Sequence, residues 1–243
     1  MVSRFLANAV REPMTKSCAN VKPRVLEMRR VQESWVAAHE KRALLWLAAR
    51  TPRGVGSDHL TALGLAAQIA AGVCYALAAF NCFVLLGVIA CLGLNWLGDS
   101  LDGTLARVRR IERPRYGFYV DHMADVFGSV ALMLGLGFSG MIHPAVAIAM
   151  LLAFLVLAAE SYLATYTLSR FQLSQGLFGP TEIRIVLAIG TLELMRSPWS
   201  NLFGHRFLLF DIGGSIAATI MLAMAVTVTI RHTAQLYREE PLP

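Results

Sequence analysis

The amino-acid sequence predicts an all-α integral membrane protein, with six transmembrane helices preceded by an interfacial amphipathic helix. Of its 243 residues, 56% are hydrophobic, and the mean hydropathy is positive, which is unusual for a water-soluble domain. A helix needs about 20 apolar residues to cross roughly 30 Å of hydrocarbon. Six apolar runs approach that length, and the predicted spans are residues 61–80, 83–106, 118–140, 143–170, 181–197 and 207–230.

Composition divides the chain into four segments. Residues 1–32 mix Pro, Lys and Arg without a period, which predicts a flexible basic tail. Residues 33–56 predict an amphipathic helix in the headgroup plane followed by a turn, the alternative being an ordinary soluble helix packed on the domain. Residues 57–232 are the predicted six-helix domain, and residues 233–243 a cytoplasmic tail. The apolar side of the first helix is predicted to hold Trp35, Val36, Leu44, Leu45, Trp46 and Leu47.

The distribution of Lys and Arg predicts the orientation, because these residues stay on the cytoplasmic side of short loops. Of 22 such residues, eleven precede the first span, five lie between the second and third, two between the fourth and fifth, and two follow the last. Only Arg196 and Arg206 fall on the other side. Both termini are therefore expected in the cytoplasm, in the cytoplasmic membrane if the source is bacterial.

The net charge of +6 does not indicate a nucleic-acid partner, because the basic residues flank membrane spans and no nucleic-acid-binding module surrounds them. Attraction to anionic membrane lipids explains the charge better. The four cysteines show no CxxC spacing, so neither a zinc site nor a disulfide framework is indicated.

Four aspartates interrupt the apolar sequence around the second and third spans. Asp99 and Asp102 are three residues apart and Asp121 and Asp125 four apart, so each pair shares one helix face. An antiparallel hairpin would bring all four carboxylates to one cytoplasmic mouth. Four anions there repel each other, and acids inside membranes are functional by default. Oxygen ligands without His or Cys favour Mg²⁺, Mn²⁺ or Ca²⁺, and two such ions could clamp a pyrophosphate.

Neighbouring residues suit a phosphate-bearing ligand. Gly103 and Gly117 remove side chains where a nucleotide could approach the backbone, and Arg107 lies about one turn beyond Asp102, in reach of phosphate oxygens. A purely structural origin for this combination is the less favoured interpretation.

The same stretch resembles the signature of the CDP-alcohol phosphotransferase (phosphatidyltransferase) family. The run Asp99-x-x-Asp102-Gly103-x-x-Ala106-Arg107, followed after nine residues by Gly117-x-x-x-Asp121-x-x-x-Asp125, matches every fixed position. The six-span layout and the preceding interfacial helix extend the resemblance over residues 35–230.

The resemblance implies a membrane enzyme that moves a substituted phosphate from a CDP-linked donor to an alcohol acceptor and releases CMP. At least one substrate would be a lipid, and a homodimer is left open. By position, the four aspartates resemble the ligands of two Mg²⁺ or Mn²⁺ ions, with Asp99 and Asp121 shared, and Asp125 also resembles the general base. The positions similar to donor-nucleotide contacts are Asp58, Thr61, Gly103, Arg107, Arg113 and Gly117. Ser57 stands where the family usually has Pro ahead of the Thr61 motif.

Three further charged residues are candidates for acceptor binding. Glu182 and Arg184 open the fifth predicted span, where they either cap and anchor the helix or bind a phosphorylated acceptor, as similar positions do in some family members. Glu160 lies deep in the fourth span and is expected either to pair with Arg184 or to line an acceptor pocket.

The identity of the substrates stays open between two groups. Arg184 favours CDP-diacylglycerol with a small polar alcohol as acceptor, whereas the DHMAD run at 121–125 is similar to enzymes that use CDP-choline or CDP-ethanolamine with a lipid alcohol. A divalent-cation transporter is the alternative of another class, but transporters place acids near the bilayer midplane. A catalytically silent scaffold is disfavoured by the complete motif.

Overall fold

A computed structural model of the chain describes residues 35–168, 180–202 and 204–240. Its α-helices are α1 (Trp35–Arg50), α2 (Ser57–Ala78), α3 (Leu85–Arg109), α4 (Pro114–Phe138), α5 (Pro144–Leu168), α6 (Pro180–Arg196) and α7 (Leu209–Glu239). A 3-10 helix at Cys82–Val84 precedes α3, and a hairpin of strands β1 (Trp199–Leu202) and β2 (His205–Leu208) joins α6 to α7. The predicted tail at 1–32 lies outside the described residues.

Five helices of the described residues are long and apolar enough to cross a membrane: Ser57–Ala78, Cys82–Arg109, Pro114–Phe138, Pro144–Leu168 and Leu209–Glu239. This confirms an all-α, multi-pass membrane protein. The fifth predicted span, 181–197, corresponds to α6, whose 17 residues are at the short end of the range for a span. The predicted count of six spans stays a prediction. Helix α7 continues to Glu239, beyond the predicted end of the membrane domain at residue 232.

Helix α2 is central, and glycines let its neighbours approach closely. A Cβ added to Gly98 of α3 would lie 2.6 Å from the carbonyl oxygen of Leu60 in α2. One added to Gly135 of α4 would lie 1.9 Å from the carbonyl oxygen of Gly72 in α2. Small residues at such crossings are how membrane helices pack when lipid is as apolar as the helices. The first crossing sets the start of α2 against the aspartate-bearing end of α3.

Replacing Gly135 with Ala should destabilise the bundle by about 1–3 kcal/mol, because the new Cβ meets backbone that cannot move aside. Gly137→Ala is the matched control in the same helix, since its Cβ would meet only the Ala147 side chain at an ordinary 3.6 Å. Thermal unfolding in detergent should show a lower midpoint for Gly135→Ala alone. Equal midpoints for the two variants would contradict this packing.

Buried polar contacts attach the short helix α6 to the bundle. The hydroxyls of Tyr75 in α2 and Thr191 in α6 share a 2.6 Å hydrogen bond, and both residues are fully buried. Membrane interiors favour such bonds because no water competes for the groups. This contact fixes α6 beside the centre of the bundle, where its first turns can reach the aspartates.

The preceding helix α1 packs on the bundle along one side. Leu44 and Ala48 are buried in a cluster with Leu60 and other apolar residues of α2 and α3, whereas Leu45 and Trp46 are exposed. Leu44 and Ala48 thus face the bundle, whereas Leu45 and Trp46 face away from it, and the predicted interfacial position of α1 stays a prediction. Consecutive helical residues are about 100° apart, so four in a row cannot face the same way.

Hydrogen bonds hold α1 and the following turn in place. The Glu40 carboxylate in α1 accepts a 2.9 Å bond from the Trp96 indole N–H and longer bonds from the hydroxyls of Ser100 and Thr181. The Arg109 guanidinium donates to the carbonyls of Thr51, Pro52 and Val55 in the turn. Glu40 thus joins α1, α3 and α6 next to the aspartate-bearing end of α3.

Candidate active site

The four aspartates lie at one mouth of the bundle, as the helical spacing predicts. Helix α3 ends at Arg109, followed by Arg110 in the left-handed conformation at φ 55°, and α4 begins at Pro114, where proline is tolerated in the first turn. This tight connection makes α3 and α4 antiparallel. Three of the carboxylates line one cavity, whose wall consists of Thr61, Gly64, Leu65, Gln68, Asn95, Asp99, Asp121, Ala124 and Asp125.

The fourth carboxylate, Asp102, is buried between α2 and α3. Its Oδ2 accepts a 2.6 Å hydrogen bond from the Thr61 hydroxyl, and its Oδ1 accepts from the backbone N–H of Gly103. The Ser57 hydroxyl donates to the Asp102 backbone carbonyl at 3.1 Å. Thr61, predicted as a nucleotide contact, is therefore a direct partner of a predicted metal ligand.

Asp99 forms a part-buried ion pair with Arg184 of α6. The Arg184 Nη2 lies 2.7 Å from Asp99 Oδ2, and Arg184 Nε donates a 2.8 Å bond to Asn95 Oδ1. Asn95 is 4% exposed and donates through Nδ2 to the carbonyl of Gly64. A guanidinium held by two partners is fixed in position, so the structure brings a cation to the edge of the carboxylate cavity.

His122, between Asp121 and Asp125 in sequence, is packed among aromatic rings. Its ring stacks on Phe118 with centroids 4.1 Å apart and meets Tyr162 of α5 edge-on at 4.8 Å. Its Nδ1 lies 2.7 Å from the Phe118 carbonyl oxygen. These contacts tie α4 to α5 behind the carboxylates.

The other predicted nucleotide contacts lie on the rim of the mouth. Asp58 and Arg113 form an exposed ion pair with each other, with 2.6 Å between Arg113 Nη2 and Asp58 Oδ2, and Arg113 covers the Tyr116 ring at 4.1 Å. The hydrogen bond with Asp58 raises the pKa of Arg113, whose guanidinium is charged at any physiological pH. Arg107 is exposed and donates to the Thr104 hydroxyl at 3.2 Å.

Gly103 and Gly117 face open space, because an added Cβ would meet no other atom within 4 Å. Gly103→Ala should therefore leave stability unchanged or slightly raised and weaken donor binding, with a donor KM about tenfold higher from loss of close approach. Gly93→Ala, equally unobstructed and ten residues, about 15 Å, before Gly103 in α3, is the matched control. Steady-state kinetics with the donor varied would check this, and an unchanged donor KM in Gly103→Ala would contradict it.

Two of the three acceptor candidates, Glu160 and Arg184, do not come together. Glu160 of α5 contacts His232 of α7, with 2.5 Å between Oε1 and Nδ1, while Arg184 contacts Asp99. The expected pairing of Glu160 with Arg184 is not formed, since α5 packs mainly against α7 and α6 against α3. The Glu182 side chain lies outside the described part of the structure.

The carboxylates fit a divalent cation by donor type. Oxygen ligands suit Mg²⁺ or Mn²⁺, and three of the four share one cavity. Within residues 35–168, 180–202 and 204–240, however, no three acidic, His or Cys side chains are already arranged around a common metal position. Asp99 and Asp102 are turned toward Arg184 and Thr61 instead. Binding two ions would require the Asp99 and Asp102 carboxylates to exchange these partners for a position shared with Asp121 and Asp125.

Asn95, Gln68 and Glu40 are site residues that the sequence analysis missed. Asn95 lies one helical turn before Asp99, so helical spacing alone could have placed it on the same face. Gln68 could have been suspected only as a lone carboxamide in an apolar run. Nothing in the sequence near Glu40 points to the site, because its partners lie in α3 and α6.

Comparison with known protein families decides the assignment. The profile of the CDP-alcohol phosphatidyltransferase family matches residues 55–231, about three quarters of the chain. The chain belongs to the CDP-alcohol phosphatidyltransferase family. It is a transferase for substituted phosphate groups in phospholipid biosynthesis, and the matched region contains all four aspartates and Arg184. A search of curated proteins found no significant match.

Proposed function

We propose that this transferase moves a phosphatidyl group from CDP-diacylglycerol to a small, phosphorylated polar alcohol and releases CMP. The observation that carries the choice of acceptor is Arg184, whose guanidinium is bonded to Asp99 and Asn95 at the wall of the carboxylate cavity. A part-buried cation beside the reacting groups suits an anionic acceptor, through charge-assisted hydrogen bonds. A neutral lipid alcohol would offer that cation no anionic group beyond the Asp99 carboxylate it already contacts.

The reaction would be a displacement at the phosphorus that carries the lipid. Asp125 takes the proton of the acceptor hydroxyl, and the acceptor oxygen forms a bond to that phosphorus. The bond from phosphorus to the bridging pyrophosphate oxygen breaks, and CMP leaves with the electron pair. Two Mg²⁺ or Mn²⁺ ions held by Asp99, Asp102, Asp121 and Asp125 would offset the charge of the pyrophosphate.

Residues on the rim would bind the nucleotide. Arg107 and Arg113 supply positive charge for phosphate, and the open faces of Gly103 and Gly117 admit the ligand to the backbone. Asp58 and Thr61 complete the proposed set from the start of α2. Of the three acceptor candidates, the proposal rests on Arg184.

We also propose that α6 is the sixth span and that both termini and the active site face the cytoplasm. The basis is the excess of Lys and Arg around the aspartate mouth, compared with Arg196 and Arg206 alone on the opposite side.

The direct test supplies purified protein with radiolabelled CDP-diacylglycerol or CDP-choline against a panel of acceptors. We expect a product only from CDP-diacylglycerol, with a phosphorylated polyol as the preferred acceptor. Product from CDP-choline and diacylglycerol would instead establish the aminoalcohol reaction.

A further inference from the structure

Two carboxamide side chains line the inner part of the carboxylate cavity. Gln68 lies about two helical turns, roughly 10 Å, beyond Thr61 along α2, and Asn95 lies one turn inward of Asp99 along α3. Both share the cavity wall with Asp99, Asp121 and Asp125. A group that sits at Asp125 and extends inward therefore meets two neutral amides, of which Asn95 is also bonded to the Arg184 guanidinium.

The two carboxamides differ in how firmly they are held. Asn95 donates to the Gly64 carbonyl at 3.0 Å and accepts from Arg184 at 2.8 Å, which are ordinary strong distances. Gln68 accepts from Asn95 at 3.4 Å and donates to the Ser129 hydroxyl at 3.4 Å, both at the long limit for a hydrogen bond. Gln68 is thus the side chain whose bonds a ligand can improve.

The facing helix leaves room for this side chain. A Cβ added to Gly128 of α4 would lie 2.3 Å from Gln68 Oε1, 2.6 Å from its Cδ and 3.1 Å from its Cγ, and these are the three nearest atoms. Glycine at 128 is therefore what lets the Gln68 carboxamide lie against α4 and remain in the cavity wall.

We propose that Gln68 binds a second, non-reacting hydroxyl of the phosphorylated polyol that serves as acceptor, and so contributes to the choice of acceptor. A carboxamide both donates and accepts, as a hydroxyl does, and it has no charge to attract phosphate. With the reacting hydroxyl at Asp125 and the phosphate at Arg184, Gln68 would hydrogen-bond a second hydroxyl of the same acceptor molecule. This inference rests on the proposed function and adds to it a residue that determines acceptor specificity.

The test removes the Gln68 carboxamide, one hydroxyl of the substrate, or both, and compares the effects as in a double-mutant cycle. Wild type and Gln68→Met, which keeps the length but lacks the carboxamide, are assayed with glycerol 3-phosphate, inositol 1-phosphate and a deoxy analogue of each. For the polyol phosphate that is turned over, wild type should prefer it to its deoxy analogue by about 3- to 10-fold in kcat/KM. Gln68→Met should reduce this ratio to near one and leave the donor KM unchanged.

Three results would overturn the inference. If wild type and Gln68→Met show the same kcat/KM preference for the polyol phosphate over its deoxy analogue, Gln68 does not bind the hydroxyl. The proposed function still holds in that case, provided that the polyol phosphate is turned over. A defect of Gln68→Met that depends on the ribose, seen by comparing CDP- and dCDP-diacylglycerol, assigns Gln68 to the donor. Turnover without any phosphorylated polyol contradicts both proposals. If Gln68→Met fails to fold, Gly128→Ala replaces it, because the added Cβ displaces the Gln68 carboxamide. This variant should reduce the preference for the polyol phosphate over its deoxy analogue, and an unchanged preference would also overturn the inference.

Discussion

Asp99→Asn, Asp102→Asn and Asp121→Asn should each remove nearly all transferase activity, a loss of about a thousandfold or more, while the protein still folds. Each substitution keeps the shape of the side chain but removes a negative charge from a set that would hold two divalent ions. The measurement is product formation with Mg²⁺ or Mn²⁺ added, together with a thermal unfolding midpoint for each variant.

Glu193→Gln is the matched control for this series. Glu193 is another acidic side chain in a helix of the bundle, but it is half exposed and lies at the opposite end of α6 from Arg184. It should retain wild-type activity. Full turnover in any of the three aspartate variants, or in excess chelator, would contradict the assignment of metal ligands.

Arg184→Ala should raise the acceptor KM by roughly tenfold or more and leave the donor KM nearly unchanged. A charge-assisted hydrogen bond to phosphate contributes about 1.5–3 kcal/mol, and about 1.4 kcal/mol is a factor of ten. Arg184→Lys should show a smaller defect, because it keeps the charge but loses the two-pronged geometry that bonds Asn95 and Asp99 together.

Steady-state kinetics with each substrate varied in turn would measure this effect. Arg196→Ala is the control in the same helix, since its side chain is 80% exposed at the other end of α6. An unchanged acceptor KM in Arg184→Ala would favour a neutral lipid alcohol as acceptor and the CDP-aminoalcohol reaction.

Helical periodicity explains why the aspartates could be predicted from the sequence. Spacings of three and four residues put Asp99 with Asp102 and Asp121 with Asp125, and a short basic loop can only join antiparallel helices. The apolar runs likewise predicted the five helices, among the described residues, that are long and apolar enough to cross a membrane. Information of this kind is local, because each feature depends on residues within one helix or one turn.

Contacts between distant helices could not be predicted in this way. Glu160 meets His232 rather than Arg184 because α5 packs against α7, and nothing within either helix specifies its neighbour. The same holds for Glu40, whose carboxylate joins α3 and α6. In α1, the 100° rotation per residue predicts that Leu44 and Leu45 point in different directions, but only the neighbouring helices decide that Leu44 is the buried one.

The most direct test of the central claim is the release of CMP by purified protein in lipid vesicles. With CDP-diacylglycerol labelled in both the cytidine and the lipid, CMP and lipid product should appear in equal amounts, and only when a phosphorylated polyol and Mg²⁺ or Mn²⁺ are both present. Asp125→Asn should abolish both signals together. Release of CMP without acceptor, or passage of divalent cations across the vesicle membrane with no CMP formed, would contradict the account.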